Sequence, residues 1–508
     1  MFKRILIANR GEIAVRIIRA CRELDIETVA IYSEADRDAL HVKYADHAYL
    51  VGPAPSTESY LAIDRILDVV KKSGADAVHP GYGFLAENSD FARACRDNKI
   101  VFIGPSPEVI DQMGDKVKAR AIMKEAGIPV VPGSEVLDSE EEVEKAADQI
   151  GYPFMLKAAA GGGGKGLRMV RSAREITPAY RAVRSEAASS FGDARLYLEK
   201  YLVHPRHIEV QILADQHGKV IHLYDRECSI QRRHQKIIEE CLAPALDYKA
   251  RRNIGRIAIQ GARAVGYVGA GTLEFLLDRE MNFYFLEMNT RLQVEHAVTE
   301  RVVGIDMVKA QIEVAAGAYL PWKQRHISPT GHAIECRIYA EDPERDFMPC
   351  PGRIEGLRLP EGLGVRNDCG VYEGAEVPIH YDPMIAKLII WGENRVEAIL
   401  RMRRALREYQ VRGIKTNIPF HQWILRHPRF MVGDFNTGFI DEEYGASGTE
   451  DVFPHKEIAL ASAAIAALHR ERERAARILE RGATETSRWR ESARKTVLRT
   501  VGGERKRQ

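Results

Sequence analysis

Phe285-Leu286-Glu287-Met288-Asn289, running into Arg291-Leu292-Gln293-Val294-Glu295-His296, decides how this chain is read. Apolar residues alternate with Glu287 and Asn289, which predicts a strand presenting both polar side chains on one face. That strand ends beside Arg291 and Glu295, so two hard oxygen ligands, a fixed cation and a potential base fall within a few residues. Mg²⁺ takes carboxylate and amide oxygens and shares its remaining positions with substrate phosphates. The fork of an Arg pairs bidentately with a small planar oxyanion. The chemistry indicated is phosphoryl transfer from ATP to a small anion. A surface strand ending in a salt-bridged turn is the plainer alternative for the segment taken alone.

Upstream, Thr272-Leu273-Glu274-Phe275-Leu276 is a second strand, joined to the first by the turn Asp278 to Asn282. In such a hairpin Glu274 and Glu287 can face the same side, which makes a metal pair geometrically easy. His207-Ile208-Glu209-Val210-Gln211 also alternates, with His207, Glu209 and Gln211 sharing a face that reads equally as solvated or as functional. The segment Arg226 to Lys236 is dense in donors and reads either as part of a site or as a solvated basic loop.

Phe154-Met155-Leu156-Lys157 is a strand, followed by Ala160-Gly161-Gly162-Gly163-Gly164-Lys165-Gly166 and a further strand, Leu167 to Val170. This is not a P-loop: Ala159 stands where the first Gly should be, Gly166 replaces the Ser or Thr, and no helix follows. A glycine turn between strands is instead a flap whose N–H groups can close over phosphates, or else a plain mobile hairpin. Lys157 favours phosphates. Leu198-Glu199-Lys200-Tyr201-Leu202 is a strand whose backbone can bond a nucleotide base.

Residues 1–114 alternate strands (Lys3 to Ala8, Thr28 to Tyr32, Ala77 to Pro80) with helices such as Gly11 to Glu23, an α/β pattern with a parallel sheet. The first turn, Asn9-Arg10-Gly11-Glu12, lacks GxGxxG, which argues against a dinucleotide site. With 508 residues, 45% of them hydrophobic, and a net charge of +2, the chain reads as a soluble protein without a nucleic-acid footprint. On a prior of roughly 150 residues per domain it holds about three domains. Seven scattered Cys without a CxxC argue against a disulfide framework and a structural zinc, and suit a reducing compartment. No signal peptide and no membrane-spanning run of roughly 20 apolar residues is seen, so a cytoplasmic protein is expected. Residues 447–508 are expected to be an Arg-rich extension, a helix from Ile458 to Leu479 and then a disordered end.

Taken together these motifs resemble an ATP-grasp enzyme, and within that class the biotin carboxylase family. The resemblance spans residues 1 to about 446. It rests on Ile7 to Ala14, His79 to Asn88, Met113-Gly114-Asp115-Lys116, the glycine flap, Glu227 to Lys236 and Glu287 to His296. It continues through Glu335-Cys336-Arg337-Ile338-Tyr339-Ala340-Glu341-Asp342 and Tyr381-Asp382-Pro383-Met384. It implies an α/β fold: an N-terminal parallel-sheet domain (1–114), an ATP-grasp domain (115–330) with a mobile glycine-rich lid at about 132–202, and a C-terminal α+β domain (331–446).

The resemblance also implies roles, position by position. Lys116, Lys157, His207, Gln231 and His234 match ATP-site residues, with Gly163 and Gly164 in the flap and Glu199, Lys200, Tyr201 and Leu202 at the adenine. Glu274 and Glu287 match the ligands of Mg²⁺ (or Mn²⁺), with Asn289 beside them. Lys236, Arg291, Gln293 and Val294 match the bicarbonate pocket, Glu295 the general base, and Arg337 the residue near the biotin ureido group. Bicarbonate deprotonated by Glu295 would attack the γ-phosphate of ATP, with Arg291 holding Glu295 ionised and orienting the anion. The carboxyphosphate formed would break down to CO₂ and phosphate, and that phosphate would take the proton from biotin N1′. Ala160 departs from the family flap, which carries a further Gly there.

No Met-Lys-Met signature is present, which implies biotin on a separate carrier protein and a separate carboxyltransferase. A homodimer is expected from the family. Acetyl-CoA is the expected final acceptor, with propionyl-CoA and pyruvate as alternatives. Rival readings are a different bicarbonate-activating ligase, such as half of a carbamoyl-phosphate synthetase, and an inactive scaffold that docks a carrier.

Overall fold

Ile5, Leu6 and Ile7 form an unbroken apolar run because the strand they build is covered on both faces. That strand, β1 (Arg4–Ile7), lies in a parallel sheet with β2 (Glu27–Ser33), β3 (His47–Gly52), β4 (Ala77–His79) and β5 (Val101–Phe102), in the order β3-β2-β1-β4-β5. Helix α1 (Gly11–Glu23) packs Ile13, Ile17, Ile18 and Cys21 against it. The strand order reverses between β1 and β4, where open α/β sheets hold ligands. Here the turn after β1 is bonded to the loop after β4. Asn9 Nδ2 donates to the Pro80 and Tyr82 carbonyls, each at 2.7 Å. Gly81, at φ +65°, is the residue the approach demands, since a Cβ would stand 2.9 Å from Asn9 Nδ2. The structure, a computed structural model, describes residues 1–159 and 166–444; Gly163, Gly164 and the extension from 447 lie outside them.

After α2 (Lys116–Glu125), whose first turn is capped by Asp115 at 3.0 Å to the Val117 and Lys118 N–H groups, the chain enters the expected lid region. Strands β6 (Phe154–Ala158), β7 (Leu167–Val170) and β8 (Leu196–Lys200) form an antiparallel sheet of order β7-β6-β8. Helices Glu140–Ile150 and Ile176–Phe191 pack Val143, Ala147 and Val183 onto its Phe154, Leu156 and Leu198.

The largest element is an eight-stranded antiparallel sheet. It contains β9 (Arg206–Ala214), β10 (Val220–Arg232), β11 (Gln235–Cys241), β12 (Gly269–Leu277), β13 (Phe283–Asn289), β14 (His332–Tyr339), β15 (Val365–Cys369) and β16 (Met384–Gly392). The order is β13-β12-β9-β10-β11-β14-β16-β15, so pairing of β11 with β14 carries the sheet across residue 330 without a break. One face of its first half buries Ile208, Val210, Leu273 and Phe275. At its other end α4 (Arg395–Glu408) covers Ile334, Leu388 and Ile390. Helix α3 (His296–Val303) lies over the opposite, polar face and sets Ala297, Val298 and Val302 on Cys241, Ala333 and Ile389. Among the described residues no helix is long and apolar enough to cross a membrane.

Candidate active site

The polar face of β9 is not solvated: His207, Glu209 and Gln211 are all buried. What pairs them is β10, whose Arg226 stands opposite Glu209 in the ladder. Arg226 is wholly buried and each of its five N–H groups has an acceptor. It donates to Glu209, to Gln211 Oε1 (2.7 Å), Thr299 Oγ1 (3.0 Å), Thr272 Oγ1 (3.1 Å) and Gln293 Oε1 (2.6 Å). One guanidinium thereby fixes three strands, the start of α3 and a residue of the expected bicarbonate pocket. Sequence reasoning includes Arg226 in a donor-dense segment, read either as part of a site or as a solvated basic loop, and gives it no role of its own; its in-register pairing with Glu209 is what singles it out.

Hairpin β12–β13 has the expected register, with Glu274 opposite Glu287 and Thr272 opposite Asn289. Glu274 Oε1 accepts from Lys236 Nζ (2.8 Å), Asn289 Nδ2 (2.8 Å) and Gln293 Nε2 (2.7 Å), and Oε2 lies 2.8 Å from His207 Nε2. Burial pushes the Glu274 carboxyl up, and Lys236 with His207 more than reverses it, holding the group below the usual carboxylate range. Glu287 is more open and has Lys116 Nζ at 3.8 Å. Two carboxylates on one side of a hairpin, with an amide oxygen alongside, are the hard donor set Mg²⁺ takes. A cavity of about 230 Å³ opens here, bounded by Glu87, Met113, Lys116, Glu287, Asn289 and Arg291.

Lys236, at the start of β11, is the hub of the site. Its ammonium touches Glu209 at 2.5 Å, Glu274 at 2.8 Å and Glu295 at 2.7 Å. Glu295, the residue before α3, accepts on its second oxygen from Arg337 at 2.8 Å. Burial pushes the Glu295 carboxyl up; Lys236, then Arg337 and Arg226, pull it well below its ordinary value. Arg337 is anchored in turn by Glu239, at 2.5 Å from its Nε.

Arg291 makes no direct ion pair with Glu295. Sequence reasoning makes it a cation that keeps Glu295 ionised; its charge acts on Glu295 without contact, and the direct ion pairs belong to Lys236 and Arg337. Arg291 Nε instead donates to Glu87 at 2.7 Å, and its NH2 to Asn289 Oδ1 at 2.9 Å. Glu87 comes from the His79–Asn88 loop pinned by Asn9, and also accepts from the Thr290 N–H at 3.0 Å. Sequence reasoning does not single it out, and nothing local marks it.

On the lid side, Lys157 Nζ donates to Glu199 at 2.5 Å, and Arg120 pairs with the same buried carboxylate. The Lys200 ammonium faces the carbonyls at the end of helix Glu140–Ile150, with Ile150 O at 3.3 Å. Tyr201 and Leu202 follow β8 and are half-buried. Gln231 donates to the Cys228 carbonyl at 3.1 Å, with its Nε2 3.4 Å from His207 Nδ1. His234 occupies the β10–β11 turn at φ +64°. The arrangement has what anion activation requires: a carboxylate base held ionised, two fixed cations beside it, and a place for a metal–nucleotide within the same cluster.

Residues 1–110 match the family model of the biotin carboxylase N-terminal domain. Residues 115–323 match that of the carbamoyl-phosphate synthase L chain ATP-binding domain, and 335–442 that of the biotin carboxylase C-terminal domain. The chain is 56% identical to the biotin carboxylase of Halalkalibacterium halodurans over 441 residues, covering 87% of this chain and 97% of that one. It is 49% identical to the propionyl-CoA carboxylase alpha chain of Ruegeria pomeroyi, over 92% of this chain and 72% of that one. The crystal structure of a biotin carboxylase–β,γ-ATP complex from Campylobacter jejuni superposes with a TM-score of 0.85 at 49% identity, covering 87% of this chain and 99% of that one. The Hydrogenobacter thermophilus 2-oxoglutarate carboxylase biotin carboxylase domain dimer, in complex with MgADP, ADP and bicarbonate, gives 0.86 at 47% identity over 89% and 100% of the two chains. Pyruvate carboxylase of Rhizobium etli gives 0.84 at 46% identity over 87% of this chain and 40% of that one.

Proposed function

Because the chain belongs to the biotin carboxylase family and is an ATP-dependent ligase, we propose that it carboxylates biotin from bicarbonate through carboxyphosphate, with its site residues in the following roles. Glu295 takes the proton of bicarbonate, and its two ion pairs keep it ionised for that task. Lys236, Arg291, Gln293 and the Val294 backbone hold the anion. Lys116, Lys157, His207, Gln231, His234 and the stretch Glu199 to Leu202 hold ATP, with Gly163 and Gly164 of the flap. Mg²⁺, or Mn²⁺ on the same oxygen donors, held by Glu274 and Glu287 with Asn289 beside them, would neutralise charge on the transferring phosphoryl group. Arg337 stabilises the ureido anion of biotin once its N1′ proton has left for phosphate. Closure of the lid keeps water from the intermediate.

The observation that carries the proposal is Glu295 clasped between Lys236 and Arg337, one cation on each carboxylate oxygen. The match of 335–442 to a biotin carboxylase domain favours this reading over a carbamoyl-phosphate synthetase half, and retention of each ionisable group disfavours an inactive scaffold. The finer parts of the proposal are biotin on a separate carrier protein, a separate carboxyltransferase with acetyl-CoA as acceptor, a homodimer, and a cytoplasmic setting. No nucleic acid or membrane enters it. The similarity to a propionyl-CoA carboxylase and to a pyruvate carboxylase keeps those two acceptors as alternatives.

The test is ATP hydrolysis by the purified chain with Mg²⁺, bicarbonate and free biotin varied independently. Turnover that requires bicarbonate and rises with biotin is expected. Bicarbonate-dependent turnover indifferent to biotin, or none even with a biotinylated carrier, overturns the proposal.

A further inference from the structure

Lys387 is wholly buried, with 0% of its surface exposed. On β16 it stands opposite Arg337 of β14 on one side and Asp368 of β15 on the other. Its Nζ donates to the Val294 carbonyl at 2.7 Å. The same ammonium lies 3.3 Å from Glu12 Oε1 and 3.9 Å from Asp368 Oδ2. Glu12 sits in the first turn of α1, beside the parallel sheet. The approach there is close, since a Cβ on Gly370, just past β15, would stand 2.7 Å from the Glu12 nitrogen. One ammonium therefore joins the first helix, the turn before α3 and the far half of the large sheet.

Packing alone does not call for a charge at this position. Burying an ion is costly, and a well-packed apolar side chain of similar volume is often no less stable. The ammonium contributes what an apolar group cannot: a directed bond to the carbonyl one residue before Glu295. Residues 290–295 connect β13 to α3 outside any strand or helix; the Gln293 and Glu295 carbonyls accept from His296 and Val298 at the start of α3, and side chains from elsewhere anchor the rest of the stretch. Gln293 has Arg226, Arg291 has Glu87, and Val294 has Lys387.

We propose that Lys387 is a positioning residue for bicarbonate activation, fixing the Val294–Glu295 peptide so that the bound anion and its base keep their relative geometry. This rests on the biotin carboxylase reading above. A misplacement of about 1 Å in such an arrangement costs on the order of 10²-fold in rate. Release of the Val294 carbonyl therefore acts on bicarbonate and on the proton transfer, and leaves the ATP-binding residues on the lid and β12–β13 in place.

The experiment compares wild type, Lys387→Met, and the double variant Lys387→Met with Glu12→Gln, which removes the charge of the nearer acid left behind, while Asp368 keeps its pair with Arg366. Steady-state ATP hydrolysis is measured with Mg²⁺, varying bicarbonate at saturating ATP and the reverse, and folding is followed by circular dichroism and thermal melting. The expected result is a rise of about tenfold or more in the KM for bicarbonate or an equal fall in kcat, with the KM for ATP within about twofold, retained in the folded double variant. A folded double variant with wild-type bicarbonate kinetics overturns the proposal. So does a loss that raises both KM values alike, because that is the signature of general loosening. Absence of bicarbonate-dependent turnover in the wild type would instead remove the functional reading beneath it.

Discussion

Arg337 NH2 donates to Glu295 Oε2 at 2.8 Å, so the cation assigned to the biotin anion and the base assigned to bicarbonate form one ion pair. In the proposed reaction the two half-steps would therefore share a contact. A proton on Glu295 would weaken its hold on Arg337 and leave the guanidinium more available to the ureido anion formed next.

Replacing Glu295 with Gln keeps the shape and an acceptor oxygen while removing the basic carboxylate. A loss of a general base costs roughly 10²–10⁴ in rate. Steady-state assays at saturating bicarbonate should show kcat reduced by about that factor with the KM for ATP little changed. Unaltered turnover would rule out Glu295 as the base.

Glu87 orients Arg291 from a different part of the chain, 204 positions away in sequence. Glu87→Gln should loosen that guanidinium and raise the KM for bicarbonate about tenfold, equivalent to about 1.4 kcal/mol. The Mg²⁺ dependence should stay put. A bicarbonate titration of the variant at fixed MgATP decides it.

Glu287 has the freer carboxylate of the pair facing across β12–β13, with Lys116 Nζ 3.8 Å away. In Glu287→Gln the Mg²⁺ concentration for half-maximal ATP turnover should rise about tenfold or more, since a hard cation loses an anionic oxygen. Mg²⁺ titrations at constant free ATP provide the comparison; an unshifted midpoint would take Glu287 out of the metal site.

Glu240 offers a pH prediction. Burial pushes its carboxyl up, but Arg395, with bonds of 2.7 and 2.9 Å, and His332 bring it to about 2, against 4.5 for the free group. A folded-state pKa below the unfolded one adds stability that is present above 4.5 and is lost as pH falls from there toward 2. Arg395→Met leaves that carboxylate buried and short of its main partner, a defect of about 3–5 kcal/mol for pairs of this kind. The thermal midpoint of the variant should lie furthest below wild type near pH 7, and the gap should narrow toward pH 4 as Glu240 takes a proton in the variant.

The hairpin bearing Glu274 and Glu287 is legible in the sequence because a short turn fixes register, and register fixes which side chains face one another. The first helix and strand are legible for a similar reason, being local patterns with strong periodicity. The role of Arg226 within its donor-dense segment is hidden because periodicity reports which residues share a face, and says nothing about whether another layer covers it. Glu87 and Lys387 are hidden because their partners lie in remote segments that only the tertiary fold brings close. Proximity along the chain points to Arg291 as the partner of Glu295, whereas its side chain leaves the turn toward Glu87 and Asn289. The family resemblance puts Lys236 in the bicarbonate pocket, but its grip on three carboxylates at once is not visible in a line of letters.

The pairing of β11 with β14 has a consequence for how such proteins can be recombined. A chimera joined near residue 330 looks natural on a domain map, yet it cuts through a single woven fabric. Each fragment alone would expose a raw edge, Gln235–Cys241 on one and His332–Tyr339 on the other, ready to adhere to any free strand. To graft one half onto a foreign partner, a designer must restore the seam stitch by stitch, Glu239 against Glu335 and Ile238 against Cys336, or Glu239 no longer lines up behind Arg337.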